Sequence, residues 1–387
     1  MGSAAEPLKV IIIGAGIGGL ATASFVRQQG HHVEVYESSK FAKELGAAIH
    51  IPPNAHSLLR KIGIDPIAIG ANPCTRLTMF ASSGFKINSI DTSAGRKWEF
   101  PWVLGHRVKL HDALKEAATS AGATLHLSKS ATRIDPHQGI VEFDDGTSAN
   151  GDDSKPFSSG KSAFRFLVPR EAVLSDPQTK HYASTDGEMV IVYHADRRLV
   201  MYPTSDNSIL NFVCIHPEEE TASKATGDWN NDATKEMLLD VYRDFHQDFK
   251  SILNKSNAES LKIWKLLDMT PLESWSDEKL ALLGDAAHPF LPHQGQGGAV
   301  AIEDAAALGV LLEAGLRPED VPDRLSLYEE IRRPRANKLQ EYTRLAGEDL
   351  KPGQAQKFDV RDYTNYNFDH DEFDNSTKRL KEWKETK

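Results

Sequence analysis

Three glycines near the start of the chain have the spacing that a dinucleotide requires. The run KVIIIGAGIGGLATASFVRQQGHHVEVYE, residues 9–37, predicts a buried strand, a glycine turn, a helix and a second strand. Gly14 permits the tight turn, Gly16 lets a pyrophosphate approach the backbone, and Gly19 lets the helix pack on the strand. The N-terminus of the helix then directs free N–H groups at the phosphates.

Glu37 ends the second predicted strand, where a carboxylate can accept a hydrogen bond from a ribose hydroxyl. Because a carboxylate repels a 2′-phosphate, the site favours FAD or NAD over NADP. A glycine fingerprint alone is weak evidence, since glycine also serves ordinary turns. This glycine fingerprint follows a predicted strand, precedes a predicted helix and is accompanied by the acidic residue Glu37. It therefore predicts a dinucleotide site without distinguishing FAD from NAD.

A second motif lies at residues 282–305, LLGDAAHPFLPHQGQGGAVAIEDA. The apolar run KLALLGD predicts a buried parallel strand that delivers Asp285 at its carboxyl end, where open α/β sheets bind ligands. Gly298 opens the next helix, whose N-terminus supplies a partial positive charge. Such a dipole suits the N1 and C2 carbonyl of a reduced flavin, so the motif favours FAD. The alternative is a strand-to-helix turn without a ligand.

The two motifs together resemble those of the single-component, class A FAD-dependent aromatic monooxygenases, in the group similar to salicylate hydroxylase. The resemblance covers about residues 8–345 and rests on GAGIGG with Glu37, GAAIHIPPNA, HRVKLHDAL, SAFRFLVPR, LVMYP and GDAAHPFLPHQGQGG. It implies that NAD(P)H reduces bound FAD and that O₂ forms a flavin C4a-hydroperoxide. The distal oxygen would then hydroxylate or epoxidise a small aromatic or apolar compound.

The resemblance also assigns cofactor contacts to individual residues. Glu37 would hold the adenosine ribose, while Ala48 and Arg107 would contact the cofactor. Asp285 would bind the ribityl chain or the pyrophosphate, and Gly298 would lie at the isoalloxazine.

Candidate substrate contacts follow from the same resemblance, which places Arg165 on a strand that faces the substrate cavity. Arg165 is a catalytic candidate because a guanidinium can hold a phenolate or carboxylate by two hydrogen bonds; the alternative is a surface arginine. Tyr202, or Tyr193 in its place, could hydrogen-bond a substrate oxygen, or could be a half-buried sheet aromatic. His50 could deprotonate a phenol or be structural, and His293 is expected to line the cavity.

One region departs from the family pattern. The family carries a strand, an Asp-Gly turn and a helix that ends in Arg before the substrate sheet, whereas here Asp145 and Gly146 belong to a hairpin turn. We interpret residues 150–153 as the site of a deletion. The missing segment predicts weaker FAD binding than in relatives. The alternative function is therefore a catalytically impaired flavin-scaffold protein; an FAD-dependent oxidase or reductase explains fewer motifs.

These motifs require an α/β fold, a Rossmann-like FAD-binding domain with an interleaved antiparallel-sheet substrate domain. The predicted FAD-binding segments are 1–74, 106–150 and 261–350, and the substrate-domain segments are 75–105 and 151–260. Residues 351–387 form a C-terminal tail that is expected to dock on the surface.

Composition and charge limit the kinds of partner that the protein is expected to bind. The 387 residues carry 55 acids and 45 bases, a net charge of −10, which argues against a nucleic-acid partner. No apolar run reaches membrane-spanning length, and the N-terminus lacks the pattern of a secretory signal. Cys74 and Cys214 are far apart, and no cysteine or histidine pair has a metal-ligand spacing, so neither a disulfide nor a metal site is expected. We expect a cytoplasmic protein of undetermined oligomeric state.

Overall fold

The structure is a computed structural model, and it describes residues 6–40, 48–93, 97–144, 156–221, 231–349 and 359–387. The helices in these ranges are α1 (Ile17–Gln28), α2 (Pro53–Lys61), α3 (Arg107–Ser120), α4 (Arg170–Leu174), α5 (Lys235–Val241), α6 (Gln247–Leu253), α7 (Gly297–Leu311), α8 (Val321–Gly347), α9 (Val360–Phe368) and α10 (Glu372–Thr386). The strands are β1 (Lys9–Ile13), β2 (His32–Glu37), β3 (Ala48–Ile51), β4 (Asn72–Pro73), β5 (Arg76–Ala81), β6 (Lys86–Asp91), β7 (Val103–His106), β8 (Thr124–Leu127), β9 (Ser130–Asp135), β10 (Ile140–Asp144), β11 (Phe157–Pro169), β12 (Glu188–Tyr193), β13 (Arg198–Thr204), β14 (Ile209–Pro217), β15 (Asn231–Asp232), β16 (Lys262–Asp268), β17 (Ser276–Asp277) and β18 (Leu280–Ala281).

The first glycine motif lies on a parallel sheet, as the sequence predicts. The strand order is β1-β2-β8, and β1 pairs with β2 from Lys9↔His32 to Ile13↔Tyr36. β-branched residues, which favour strands, occupy residues 10–13 of β1. Ile12 is buried but Ile13 is 44% exposed, so the strand is less buried than the sequence predicts. Helix α1 begins directly after Gly16 and is buried along most of its length.

Helix α7, which follows the second motif, packs against α1 at the centre of the molecule. Every residue of α7 from Ala299 to Leu311 is buried. A Cβ added to Gly309 would lie 2.5 Å from the Cβ of Phe25 on α1, so only glycine allows the helices to come this close. The contact brings the two helices that follow the glycine motifs side by side.

The second layer is a sheet in the order β15-β16-β11-β14-β13-β12-β5-β6. The sequence predicts an antiparallel sheet, and each neighbouring pair is antiparallel except β12 and β5, which are parallel from Glu188↔Arg76 to Tyr193↔Ala81. The two parallel strands lie about a hundred residues apart in the chain, and a long connection permits a parallel pair where a hairpin does not. The predicted α/β class with a Rossmann-like domain is confirmed.

A second difference from the prediction concerns the segment before Asp285, which is expected to be a buried parallel strand but pairs as a short antiparallel strand. Leu280 and Ala281 pair only with the short antiparallel strand β17, and Gly284–Ala286 form a 3₁₀ turn. Side chains from the helices satisfy the backbone here, because Tyr328 donates to the carbonyl of Leu282 at 3.0 Å and Asp304 accepts from Gly284 N–H at 2.9 Å. The segment is thus fixed by side chains and the short strand β17 instead of a parallel neighbouring strand.

Some expectations fall outside the described residues. The Asp145–Gly146 turn and the proposed deletion at residues 150–153 lie between the end of β10 and the start of β11, in the undescribed range 145–155. Weak FAD binding therefore stays a prediction. In the part of the chain that the structure describes, no helix has both the length and the apolar character needed to cross a bilayer.

The close contact of α1 and α7 predicts that Gly309→Ala destabilises the protein by about 1–3 kcal/mol, because the added methyl group overlaps Phe25. Denaturant unfolding of the flavin-free protein measures this difference. Gly297→Ala on the same helix is the control, since its Cβ would lie at an ordinary 3.5 Å from the Cβ of Phe290. Equal losses in the two variants would contradict the packing argument.

Candidate active site

One cavity of about 1540 Å³ lies between the parallel layer and the large sheet. Its lining includes Gly14 and Gly16 of the first motif, Asp285 and Gly298 of the second, and Arg165 of the sheet. Pockets for single drug-sized ligands usually measure about 300–1,000 Å³. This cavity therefore has room for a dinucleotide together with a small substrate.

The three glycines of the first motif have different geometric reasons to be glycine. Gly14 has φ +95°, a conformation that L side chains rarely adopt. A Cβ on Gly19 would lie 2.0 Å from the carbonyl oxygen of Gly14, so a side chain there would displace the turn itself. A Cβ on Gly16 would meet no protein atom within 4 Å, and Gly16 lines the cavity. Gly16 thus keeps open a space that a ligand can fill.

Glu37 is hydrogen-bonded to the glycine turn. Its carboxylate accepts from the backbone N–H of Ala15 at 2.9 Å and of Ser39 at 2.7 Å. Burial raises the pKa of Glu37, but these N–H donors outweigh that effect and hold the pKa below its usual range. Glu37 does not belong to the residues that line the cavity. A carboxylate has about four acceptor positions, so these bonds leave capacity for a ribose hydroxyl.

The remaining predicted cofactor contacts lie on the cavity wall. Ala48 begins β3, and its N–H donates to the side chain of Asn211 at 3.2 Å. Arg107 begins α3, Asp285 is exposed in the 3₁₀ turn, and Gly298 lies in the first turn of α7. A Cβ on Gly298 would lie 2.8 Å from Ile49 Cδ1, so glycine also closes the contact between α7 and β3.

Arg165 presents a positive charge to the cavity from β11. Its guanidinium lies 4.1 Å from the ring centre of Trp264, and burial lowers its pKa to about 10. No carboxylate of the described residues pairs with it; the Trp264 ring face and the nearby Tyr202 favour its charge. A largely desolvated cation without a carboxylate partner is unfavourable unless a ligand supplies the negative charge.

The other predicted substrate residues are uncharged at neutral pH. Burial raises the pKa of Tyr202 and of Tyr193, so both keep their phenolic proton. Burial lowers the pKa of His50 to about 4 and of His293 to about 3. The His50 ring packs edge-on against Tyr202 at 4.7 Å. Because a base with so low a pKa is weak at neutral pH, the lowered pKa favours the structural interpretation of His50.

The C-terminal segment contributes cavity residues that the sequence reasoning placed on the surface. Tyr363 and Phe368 of α9 line the cavity and are buried. The Phe368 ring packs edge-on against Trp98 at 5.1 Å and Trp102 at 5.8 Å. Tyr363 and Phe368 within one helical stretch were the signal for a buried face, whereas Tyr366 between them is 42% exposed.

The glycine motif for a dinucleotide and the large sheet line the same cavity, an arrangement that is typical of flavin-binding oxidoreductases. Residues 168–343 match the FAD binding domain family, and residues 12–42 match the NAD(P)-binding Rossmann-like domain family. Hispidin-3-hydroxylase of Neonothopanus nambi is 32% identical over 374 residues, covering 87% of this chain and 87% of that protein. 3-Hydroxybenzoate 6-hydroxylase of Klebsiella oxytoca is 29% identical over 362 residues, covering 89% of each.

The fold agrees with solved structures as well. A salicylate hydroxylase substrate complex superposes with a TM-score of 0.75 at 22% identity, covering 97% of this chain and 98% of that chain. The chain therefore belongs to the FAD-dependent monooxygenases, it is an enzyme, and FAD is its cofactor.

The geometry of the first motif predicts different outcomes for two alanine substitutions. Gly16→Ala should leave the unfolding of the flavin-free protein unchanged but weaken FAD binding, because the methyl group enters only the ligand space. Gly19→Ala should reduce stability itself, because its methyl group overlaps the Gly14 carbonyl. Thermal unfolding and FAD titration followed by flavin fluorescence measure the two effects. A loss of stability in Gly16→Ala would contradict this assignment.

Histidines that are neutral in the folded protein predict that its stability is sensitive to acid. His50, His216 and His293 have folded pKa values of about 4, 4 and 3, below the ordinary 6.5, so the unfolded chain binds protons first. Stability should fall as the pH decreases from about 6.5 toward 4. Replacing His50 by Gln should reduce this slope by up to about 1.4 kcal/mol per pH unit, measured by urea unfolding at several pH values. The exposed His137→Gln is the control and should leave the slope unchanged.

Proposed function

We propose that this monooxygenase uses NAD(P)H and O₂ to hydroxylate or epoxidise a small aromatic compound that carries a carboxylate or phenolate. The observation that carries the proposal is Arg165, a cation on the cavity wall without a carboxylate partner among the described residues. A guanidinium binds a planar carboxylate through two parallel hydrogen bonds, which fixes both position and orientation.

The residues on the cavity wall fit FAD. The open space at Gly16 and the N-terminus of α1 suit a pyrophosphate, and the first turn of α7 at Gly298 suits a flat ring. Glu37, which is not among the residues that line the cavity, would hold the ribose, and Ala48, Arg107 and Asp285 of the cavity wall would be further contacts. The chemistry that FAD supplies when bound is oxidation of NAD(P)H and activation of O₂ for transfer of one oxygen atom.

The sheet would orient the substrate and exclude water. Val200, Val213 and Trp264 line the cavity from neighbouring strands, and their apolar surfaces leave few sites for water beside the reacting ring. The protonated Tyr202 hydroxyl would donate a hydrogen bond to a substrate oxygen, since burial keeps its proton in place. Tyr193 occupies the neighbouring strand and would serve the same role for a longer substrate.

Names of relatives support an aromatic acid. 3-Hydroxybenzoate 6-hydroxylase and salicylate hydroxylase are both named for substrates that carry a carboxylate. Hispidin-3-hydroxylase is named for a different compound, so the names of the relatives do not agree on one ring system.

The direct test is purification of the full chain and measurement of flavin content by visible absorbance. NAD(P)H oxidation is then followed with a panel of hydroxybenzoates, other phenols and uncharged aromatics. We expect consumption that the anionic compounds stimulate, with an oxygenated product identified by mass spectrometry. Consumption without any oxygenated product across the panel would overturn the proposed function.

We expect Arg165→Met to weaken the binding of anionic substrates selectively. KM for an anionic substrate should rise roughly 10- to 100-fold, the range for a hydrogen bond to a charged group, whereas Arg165→Lys should lose less. The methyl ester of the same acid lacks the negative charge, so its KM should change little in Arg165→Met. This control distinguishes loss of charge recognition from a general disruption of the active site. Arg133→Met, on the exposed face of β9, is the control variant. An equal loss for acid and ester would contradict the role of Arg165.

A further inference from the structure

The C-terminal helix is joined to the centre of the molecule by a cluster of buried charges. Arg332 of α8 and the carboxylates of Glu303, Asp304 and Glu372 are each fully buried. Arg332 donates to Asp304 at 2.9 Å, to Glu303 at 2.9 Å and to Glu372 of α10. Arg335 donates to both oxygens of Glu303 at 2.8 and 2.7 Å. This group, defined by these five residues, is called the arginine cluster below.

The arginine cluster continues to the turn that carries Asp285. The second oxygen of Asp304 accepts from Gly284 N–H at 2.9 Å and lies 2.6 Å from His288 Nε2. These two contacts hold the 3₁₀ turn at both ends. The exposed Asp285 carboxylate on the cavity wall therefore depends on the orientation of Asp304.

The charged groups of the arginine cluster affect one another's protonation. Burial raises the pKa of Glu303, Asp304 and Glu372, but neighbouring groups outweigh this effect and hold each pKa below its usual range. Arg335 and Arg332 lower the pKa of Glu303, His288 and then Arg332 lower the pKa of Asp304, and Arg332 lowers the pKa of Glu372. Glu303, His370 and Glu372 place ligand atoms within 4.8 Å of one another. Arg332 and Arg335 already supply the positive charge that a metal ion would bring. The cluster is therefore a structural ion-pair network.

We propose that Glu372 is a positioning residue for FAD, acting through Arg332 and Asp304 on the turn that carries Asp285. Without the Glu372 carboxylate, the Arg332 guanidinium keeps only Glu303 and Asp304 as charged partners. It would then shift toward them and change the orientation of the Asp304 carboxylate. The C-terminal helix is thus part of the cofactor site, although Glu372 does not line the cavity.

The experiment compares Glu372→Gln in the full chain with Glu382→Gln, an exposed acid on the same helix. FAD affinity is measured by titration of the flavin-free protein at a temperature where circular dichroism shows each variant to be folded. We expect Glu372→Gln to weaken FAD binding roughly tenfold and to alter the visible circular dichroism of the bound flavin. Glu372→Asp should restore part of the affinity, and Glu382→Gln should match the unmodified protein.

A double-mutant cycle with Asp304→Asn tests the connection itself. If Glu372 acts through Asp304, the double variant should lose little more FAD affinity than Asp304→Asn alone. Two outcomes would overturn the proposal. One is a lower unfolding temperature in Glu372→Gln with unchanged FAD affinity of the folded protein, which indicates only structural support. The other is multiplicative losses in the double variant, which indicate independent effects.

Discussion

The close packing of α1 against α7 is the constraint on which the rest of the structure depends. Gly309 allows the two helices to approach, because any side chain there would overlap Phe25. At the other end of the contact, a Cβ on Gly18 would lie 2.6 Å from Leu283 Cδ1 and 3.3 Å from Ala301 Cβ. The helices are therefore fixed along their length, and the glycine motifs that precede them face one cavity. This contact brings two segments about 270 residues apart in the chain to the same cavity.

Among the described residues, buried arginines paired with carboxylates differ in role from the half-buried Arg165 on the cavity wall. Arg332 and Arg335 lie among carboxylates that match their charge, and such pairs are costly to break but contribute mainly to positioning. Arg165 stacks on Trp264 with no carboxylate beside it among the described residues. The same type of side chain thus serves as internal structure in one environment and is the proposed ligand contact in the other. Charge balance, more than burial, separates the two.

The sequence predicted what depends on local spacing. The strand, turn and helix around Gly14 and Gly16 follow from neighbouring residues, and the structure has them where expected. It did not predict the parallel pairing of β5 with β12, which depends on a connection of about a hundred residues through the other layer. The 3₁₀ turn at Gly284 was also missed, because Asp304 and Tyr328 fix it from distant helices. The position of Phe368 between Trp98 and Trp102 is likewise a long-range contact.

The electrostatic character of the cavity follows from its burial. Burial lowers the pKa of His50 and His293 and raises the pKa of Tyr202, so all three are neutral near pH 7. Arg165 keeps its charge, because even a pKa of about 10 lies well above neutrality. Of these four predicted substrate residues, Arg165 alone is charged. Under the proposed function, an anion that binds beside Arg165 would offset the cost of a desolvated charge that has no carboxylate partner. A neutral compound of the same shape would gain no such offset, so the proposal makes charge the first basis of selection among aromatic ligands.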